Sequence, residues 1–174
     1  MQEVLDALQF AKQRHKGQVR RGSGEPYITH PVAVSYLVAA YKRSKRLREL
    51  IVAAMLHDVV EDTSTTIEEI SRRFGVFVAS LVLELTNDKE EILRHGKLEY
   101  QSKKLLSISG YALVIKLADR LHNISDAPTP KMVRDTLVLI ERLRAGRKLT
   151  KTQEAMVSDL ESLCHQKQAL QAAA

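Results

Sequence analysis

Apolar positions recur along most of the chain at the three-and-four spacing of helices that face a core. Val4, Leu8, Ala11 and His15 mark a first helix, widened by Leu5. The stretch 17–29 breaks the pattern with Gly22, Gly24 and Pro26, and Pro31 suits the first position of a second helix running to about Tyr41. From Leu47 to Val60 the sequence is apolar almost all round, which predicts one continuous, fully buried helix. Thr65 and Glu68 read as a capping box opening a helix that stops at Gly75. The run from Val76 to Thr86 reads as helix through Ala79, Leu81, Leu83 and Leu85, whereas 87–96 is polar and reads as a mobile connection. Further helices are expected near 97–107, 111–123, 131–146 and 150–164, with a frayed tail over 165–174. The whole predicts a single all-α domain over 1–174, a bundle of about eight helices with room for one small β-hairpin.

Composition narrows this picture. Seven Gly and four Pro are few for a turn-rich β fold. One cysteine, Cys164, excludes an internal disulfide or a thiolate zinc cluster and points to a reducing compartment, hence the cytoplasm. No apolar run approaches the roughly 18 residues of a membrane helix, and the first ten residues lack the basic-then-apolar plan of a signal peptide. The net charge of +6 is uneven: Lys12–Arg48 carries ten basic residues against one acid, Glu25. Such a stretch invites an anionic partner, either nucleic acid or a phosphate-rich small molecule, although Lys42, Arg43, Lys45, Arg46 and Arg48 also suit a solvated helix face. No helix-turn-helix pattern, aromatic platform or zinc motif supports nucleic acid, and oligomeric state is left open.

The chemistry lies where polar groups interrupt apolar runs. After six apolar residues come His57 and Asp58, then two valines, then Glu61 and Asp62. Four ionisable groups closing a buried helix are costly unless paired or bound to a metal. At i,i+4 spacing His57 lies one turn below Glu61 and Asp58 one turn below Asp62. His30 directly precedes the proline-started helix, and Asp119 sits in the apolar run 112–123, where an ion pair with Lys116 or Arg120 is the plainer reading. Two imidazoles and two carboxylates make an N/O set for a divalent transition metal, and Mn²⁺, Fe²⁺ and Zn²⁺ all suit it.

The order His30, His57-Asp58, Asp119 is the pattern of the HD superfamily of metal-dependent phosphohydrolases. More narrowly, Gly17-Gln18, the run from Arg21 to Pro31, Ala54–Thr63, Phe74-Gly75 and Lys116–Asn123 resemble the hydrolase domain of the RelA/SpoT family over about residues 4–125. The resemblance implies degradation of (p)ppGpp: loss of the 3′-pyrophosphate to give GDP or GTP. The chain is too short for that family's synthetase and regulatory domains, so it resembles the stand-alone branch of small alarmone hydrolases, typified by the metazoan SpoT homologue.

The resemblance further implies that His30, His57, Asp58 and Asp119 hold Mn²⁺, and that Glu61 and Asp62 orient or deprotonate the attacking water. On the substrate side it implies Arg21 against the base, Ser23 on the nucleotide and Asn123 on the ribose or base. Lys97, with Arg94 and Lys104, is expected to meet the pyrophosphate, and Arg20 and Lys16 to add to the field. Asp126 stands where several relatives carry Thr, which leaves base preference open: adenine alarmones and NADPH 2′-phosphate removal remain alternatives, as does a non-catalytic alarmone-binding regulator.

Overall fold

A computed structural model describes residues 2–172. It contains eleven helical segments and, among the described residues, no strand. In order these are α1 (Gln2–Arg14), α2 (Thr29–Tyr41), α3 (Leu47–Leu56), α4 (Val59–Asp62), α5 (Ile67–Phe74), α6 (Val76–Leu85), α7 (Lys89–His95), α8 (Lys97–Ser107), α9 (Gly110–Ser125), α10 (Pro130–Gly146) and α11 (Lys151–Ala172). No helix is long and apolar enough to cross a membrane.

The core is built around two helices. α3 buries Leu50 and every residue from Val52 to Leu56, and α9 buries every residue from Ala112 to Asp119. α9 packs against α2, α3, α6, α10 and α11. Its apolar neighbours create a low-dielectric wall, so the charged side chains Lys116 and Asp119 need partners inside it.

Several expectations are corrected. The helix expected over 47–60 is interrupted at His57-Asp58: the backbone stays near helical, but the His57 ring takes the Ala54 carbonyl at 2.8 Å, and a separate single turn, α4, follows. α2 begins at Thr29, so His30 lies inside its first turn. The α5 cap is Thr66, whose hydroxyl accepts from the Glu69 amide, and not the Thr65–Glu68 pair. Thr65 is buried and bonded to Thr63. Replacing Thr66 by alanine should therefore cost about 1 kcal/mol, a melting shift of about 2–4 °C for a chain of this size, read by thermal unfolding.

The polar segment 87–96 is not a mobile connection. Asp88 caps α7 by accepting from the Glu90 and Glu91 amides, and Arg94 pairs with Glu91 at 2.7 Å. Gly75 and Gly96, both with φ above +80°, let α6 and α8 start directly after the preceding helices, a backbone shape other residues resist. The hairpin shrinks to a single bridge between Val19 and Pro26. Of the tail expected to fray, residues up to Ala172 are helical, with Lys167 and Gln171 donating to the carbonyls of Ser125 at the end of α9 and of Pro128 beyond it; 173–174 lie outside the described residues.

Candidate metal centre and active site

The first turn of α2, the turn between α3 and α4, and the buried middle of α9 converge on one cluster. His30, His57 and Asp119 are buried, and each offers a donor atom within 4.8 Å of the others. Asp119 Oδ1 lies 3.3 Å from His30 Nε2 and 3.9 Å from His57 Nε2. Asp58 Oδ2 lies 3.0 Å from His57 Nε2 and 3.6 Å from His30 Nε2. The structure thus brings together all four residues read from the sequence as metal-binding.

The chemistry of the donors calls for a cation. His57 Nδ1 donates to the Ala54 carbonyl, so in the neutral ring Nε2 carries a lone pair. That nitrogen is buried without a hydrogen-bond partner and faces two carboxylates. Burial disfavours a charged His57, yet Asp58 and Asp119 outweigh it and push the imidazole up to about 9. The same imidazole holds Asp58 below the usual carboxylate range against the effect of burial. A site that pulls a proton onto a buried ring is one in which a divalent ion finds matching charge and donors.

The carboxylates are held from outside. Tyr27 donates to Asp58 at 2.5 Å, and burial together with Asp58 keeps its hydroxyl protonated far above the usual range. Lys116 pairs with Asp119 Oδ2 at 3.0 Å. Burial raises the Asp119 pKa, but Lys116 leads the groups that more than reverse this and hold it well below the usual range. The ion pair and the ligand position are therefore compatible: one oxygen faces Lys116 and the other the histidines. His30 Nδ1 contacts His122 Nδ1 at 2.9 Å, and burial, with His30 and Arg20 nearby, pushes His122 down to about 4.

The two acids of α4 separate. Glu61 is clamped by Asn87, which gives it a backbone N–H at 3.0 Å and side-chain contacts at 2.9 and 3.2 Å. Asp62 is largely open, and burial of its inner side, with Asp58 and Glu61 close, raises its carboxyl above the usual range. Both line a cavity of about 340 Å³ over the four-residue cluster, which continues into an outer recess of about 440 Å³.

The substrate-side expectations fare unevenly. Lys97 lines both spaces. Asn123 does too, but its amide is committed, accepting from Arg20 at 2.8 Å and donating to Asp119 at 2.6 Å. Arg21 reaches only the outer recess, while Arg20 lines both and pairs with Asp126 at 3.2 Å. Ser23 is exposed and lines neither. Arg94 and Lys104 are turned to Glu91 and to the Thr86 carbonyl. Lys16 and the basic residues at 42–48 also stay outside both spaces, and Arg46 instead stacks on Phe77 at 4.9 Å and pairs with Glu49.

The sequence profile of the HD domain family matches residues 7–148. The chain belongs to the HD domain family. This HD domain is 36% identical over 127 residues to the human guanosine-3′,5′-bis(diphosphate) 3′-pyrophosphohydrolase MESH1, covering 71% of this chain and 69% of that protein. A protein of Aquifex aeolicus with the same enzyme name is 39% identical over 132 residues, but this chain spans only 17% of its length. In structure, the HD domain superposes with a TM-score of 0.79 on a metazoan orthologue of SpoT described as hydrolysing ppGpp, at 26% identity and 96% coverage of both chains.

Residues beyond the expected ligands and substrate contacts also shape the site. Arg120 lines the cavity with neutral partners only, Gln101 at 2.8 Å and Thr136 at 3.4 Å. Of the two cations expected as ion-pair partners of Asp119, Lys116 takes that place at 3.0 Å, while Arg120 turns to Gln101 and Thr136. Tyr27 lies inside the quoted loop motif. Asn87 and His122 carried no spacing signal, because their partners come from distant helices.

Proposed function

We propose that this HD domain is a metal-dependent alarmone pyrophosphohydrolase that removes the 3′-pyrophosphate of (p)ppGpp, with Mn²⁺ held by His30, His57, Asp58 and Asp119. The observation that carries this reading is the unpartnered, buried His57 Nε2 facing Asp58 and Asp119, two carboxylates of a cavity whose lining sets acids against Arg20, Lys97, Lys116, Arg120 and Lys131. The names of the human and Aquifex relatives support the substrate class.

When bound, the ion supplies Lewis acidity towards a phosphoryl oxygen and makes water a stronger acid. The side chains do the rest. Asp62, open and with its carboxyl raised, accepts a proton from the attacking water at its carboxylate oxygen. A water oxygen–phosphorus bond forms, the bond from phosphorus to the 3′ oxygen breaks, and that oxygen takes a proton from solvent to leave as a hydroxyl; pyrophosphate is released and Asp62 returns its proton to solvent. Lys97 and Arg120, neither ion-paired among the described residues, meet the phosphates, and Arg20 stands at the outer recess where a base would lie. Arginine suits that place because its planar fork both stacks and donates. The Asp126 charge is answered by Arg20, so a carboxylate at this position does not repel the nucleotide outright.

The test is a panel of ppGpp, ppApp and NADPH at equal concentration with Mn²⁺, reading phosphate or pyrophosphate release and kcat/KM for each. Fastest release of pyrophosphate from ppGpp is expected, lost in EDTA and restored by Mn²⁺ ahead of Fe²⁺ or Zn²⁺. Failure to turn over any 3′-pyrophosphorylated nucleotide with metal bound would leave a non-catalytic alarmone binder as the surviving reading.

A further inference from the structure

The two histidines of the cluster are oriented by different means. His57 is fixed through Nδ1 by a backbone carbonyl of its own helix, Ala54, at 2.8 Å. His30 has no such carbonyl on its Nδ1 among the described residues; that atom faces Nδ1 of His122, 2.9 Å away on α9, with the ring centroids 4.9 Å apart. A nitrogen–nitrogen contact at this distance holds one proton, donated by one ring and accepted by the other. The other His30 nitrogen, Nε2, faces Asp58 and Asp119 at 3.6 and 3.3 Å. For Nε2 to present a lone pair to a cation, the proton must sit on His30 Nδ1, and His122 must be the acceptor.

We propose that His122 is a positioning residue that holds His30 in its Nδ1–H tautomer and so sets the divalent-metal affinity of the site. The inference rests on the metal-site reading above. Partners of this kind orient ligand rings and raise their basicity, and their loss weakens metal binding by about 10- to 100-fold. The position is economical: Asp119 and His122 sit on the same helix, three residues apart, so one rigid element carries both a carboxylate donor and the tautomer lock for the opposing imidazole.

The geometry selects the substitutions. Asparagine places its Oδ1 where the imidazole Nδ1 stood and can still accept, whereas leucine has the same shape and accepts nothing. Mn²⁺ binding to the full chain is measured by calorimetry for wild type, His122→Leu and His122→Asn. A 10- to 100-fold weaker Mn²⁺ affinity is expected for His122→Leu, with His122→Asn within about threefold of wild type. Equal affinities for wild type and His122→Leu, or equal losses in both variants, would overturn the tautomer role. Wild type that binds no metal would instead overturn the site itself. Independently of any variant, nitrogen NMR of the Zn²⁺-loaded wild type should show the His30 proton on Nδ1, and a proton on Nε2 would overturn the proposal.

Discussion

Asp58→Ala is expected to reduce pyrophosphate release at least about 10³-fold, a loss of about 4 kcal/mol of transition-state stabilisation. The substitution deletes the oxygen that stands 3.0 Å from His57 Nε2 and 3.6 Å from His30 Nε2, and leaves one carboxylate for two imidazoles. The fold should survive. One of the two anions beside His57 is removed, and the other, Asp119, keeps its ion pair with Lys116, so the change takes a buried charge out of the cluster without stranding a partner of Asp119. The metal-free protein then loses chiefly the Tyr27 hydrogen bond, about 1–2 kcal/mol. Pyrophosphate release with and without added Mn²⁺, together with a thermal melt in EDTA, checks both halves. Near-normal turnover would remove Asp58 from the metal assignment.

Asp62→Asn should lower kcat by about 10²–10⁴-fold with KM nearly unchanged, the size of effect typical of a lost general base. The asymmetry between neighbours is the reason. Glu61 spends both oxygens on Asn87, while Asp62 is open to the cavity with its carboxyl raised. Glu61→Gln should instead cost stability and loosen the start of α7, since an amide at that position cannot accept all three Asn87 contacts. A larger kcat loss for Glu61→Gln than for Asp62→Asn would exchange the two roles. Steady-state kinetics over a range of substrate concentration separates kcat from KM and decides it.

Much of the site could be read from the chain because its donors break apolar runs. His57-Asp58 and Asp119 stand out for that reason, and their segments fold as buried helices whatever the ligand. What the sequence does not reveal is the tertiary pairing of these residues. Arg20 meets Asp126 across 106 positions and His30 meets His122 across 92, separations at which no local spacing speaks. The choice between Arg20 and Arg21 illustrates the limit. In the hairpin-like loop the Arg20 amide bonds the Glu25 carbonyl, while Arg21 opens the tight turn over 21–23 that the Gly24 N–H closes on the Arg20 carbonyl, so the neighbouring arginines stand in different backbone conformations. Similarly, α7 lacks an apolar stripe and buries none of its residues, so periodicity could not reveal it; its Asp88 cap and the bonds that Asn87 and Asp88, just before it, make with Glu61 and Tyr100 hold it instead. At Thr65-Thr66 two cap-competent residues stand in a row, and only the backbone path chooses between them.

The bonds from Lys167 and Gln171 to the loop after α9 bear on the order in which the protein is made. Lys167 follows Ser125 by 42 residues, and the loop it holds carries Asp126, the partner of Arg20 at the outer recess. During synthesis from the N-terminus, His30, His57, Asp58 and Asp119 are all present before α11 exists. Until then both α9, which carries Asp119, and the rim beside Asp126 lack their α11 partner. A ribosome-bound intermediate halted before α11 should therefore hold neither the complete buried cluster nor a fixed rim, and acquire both when α11 docks on α9.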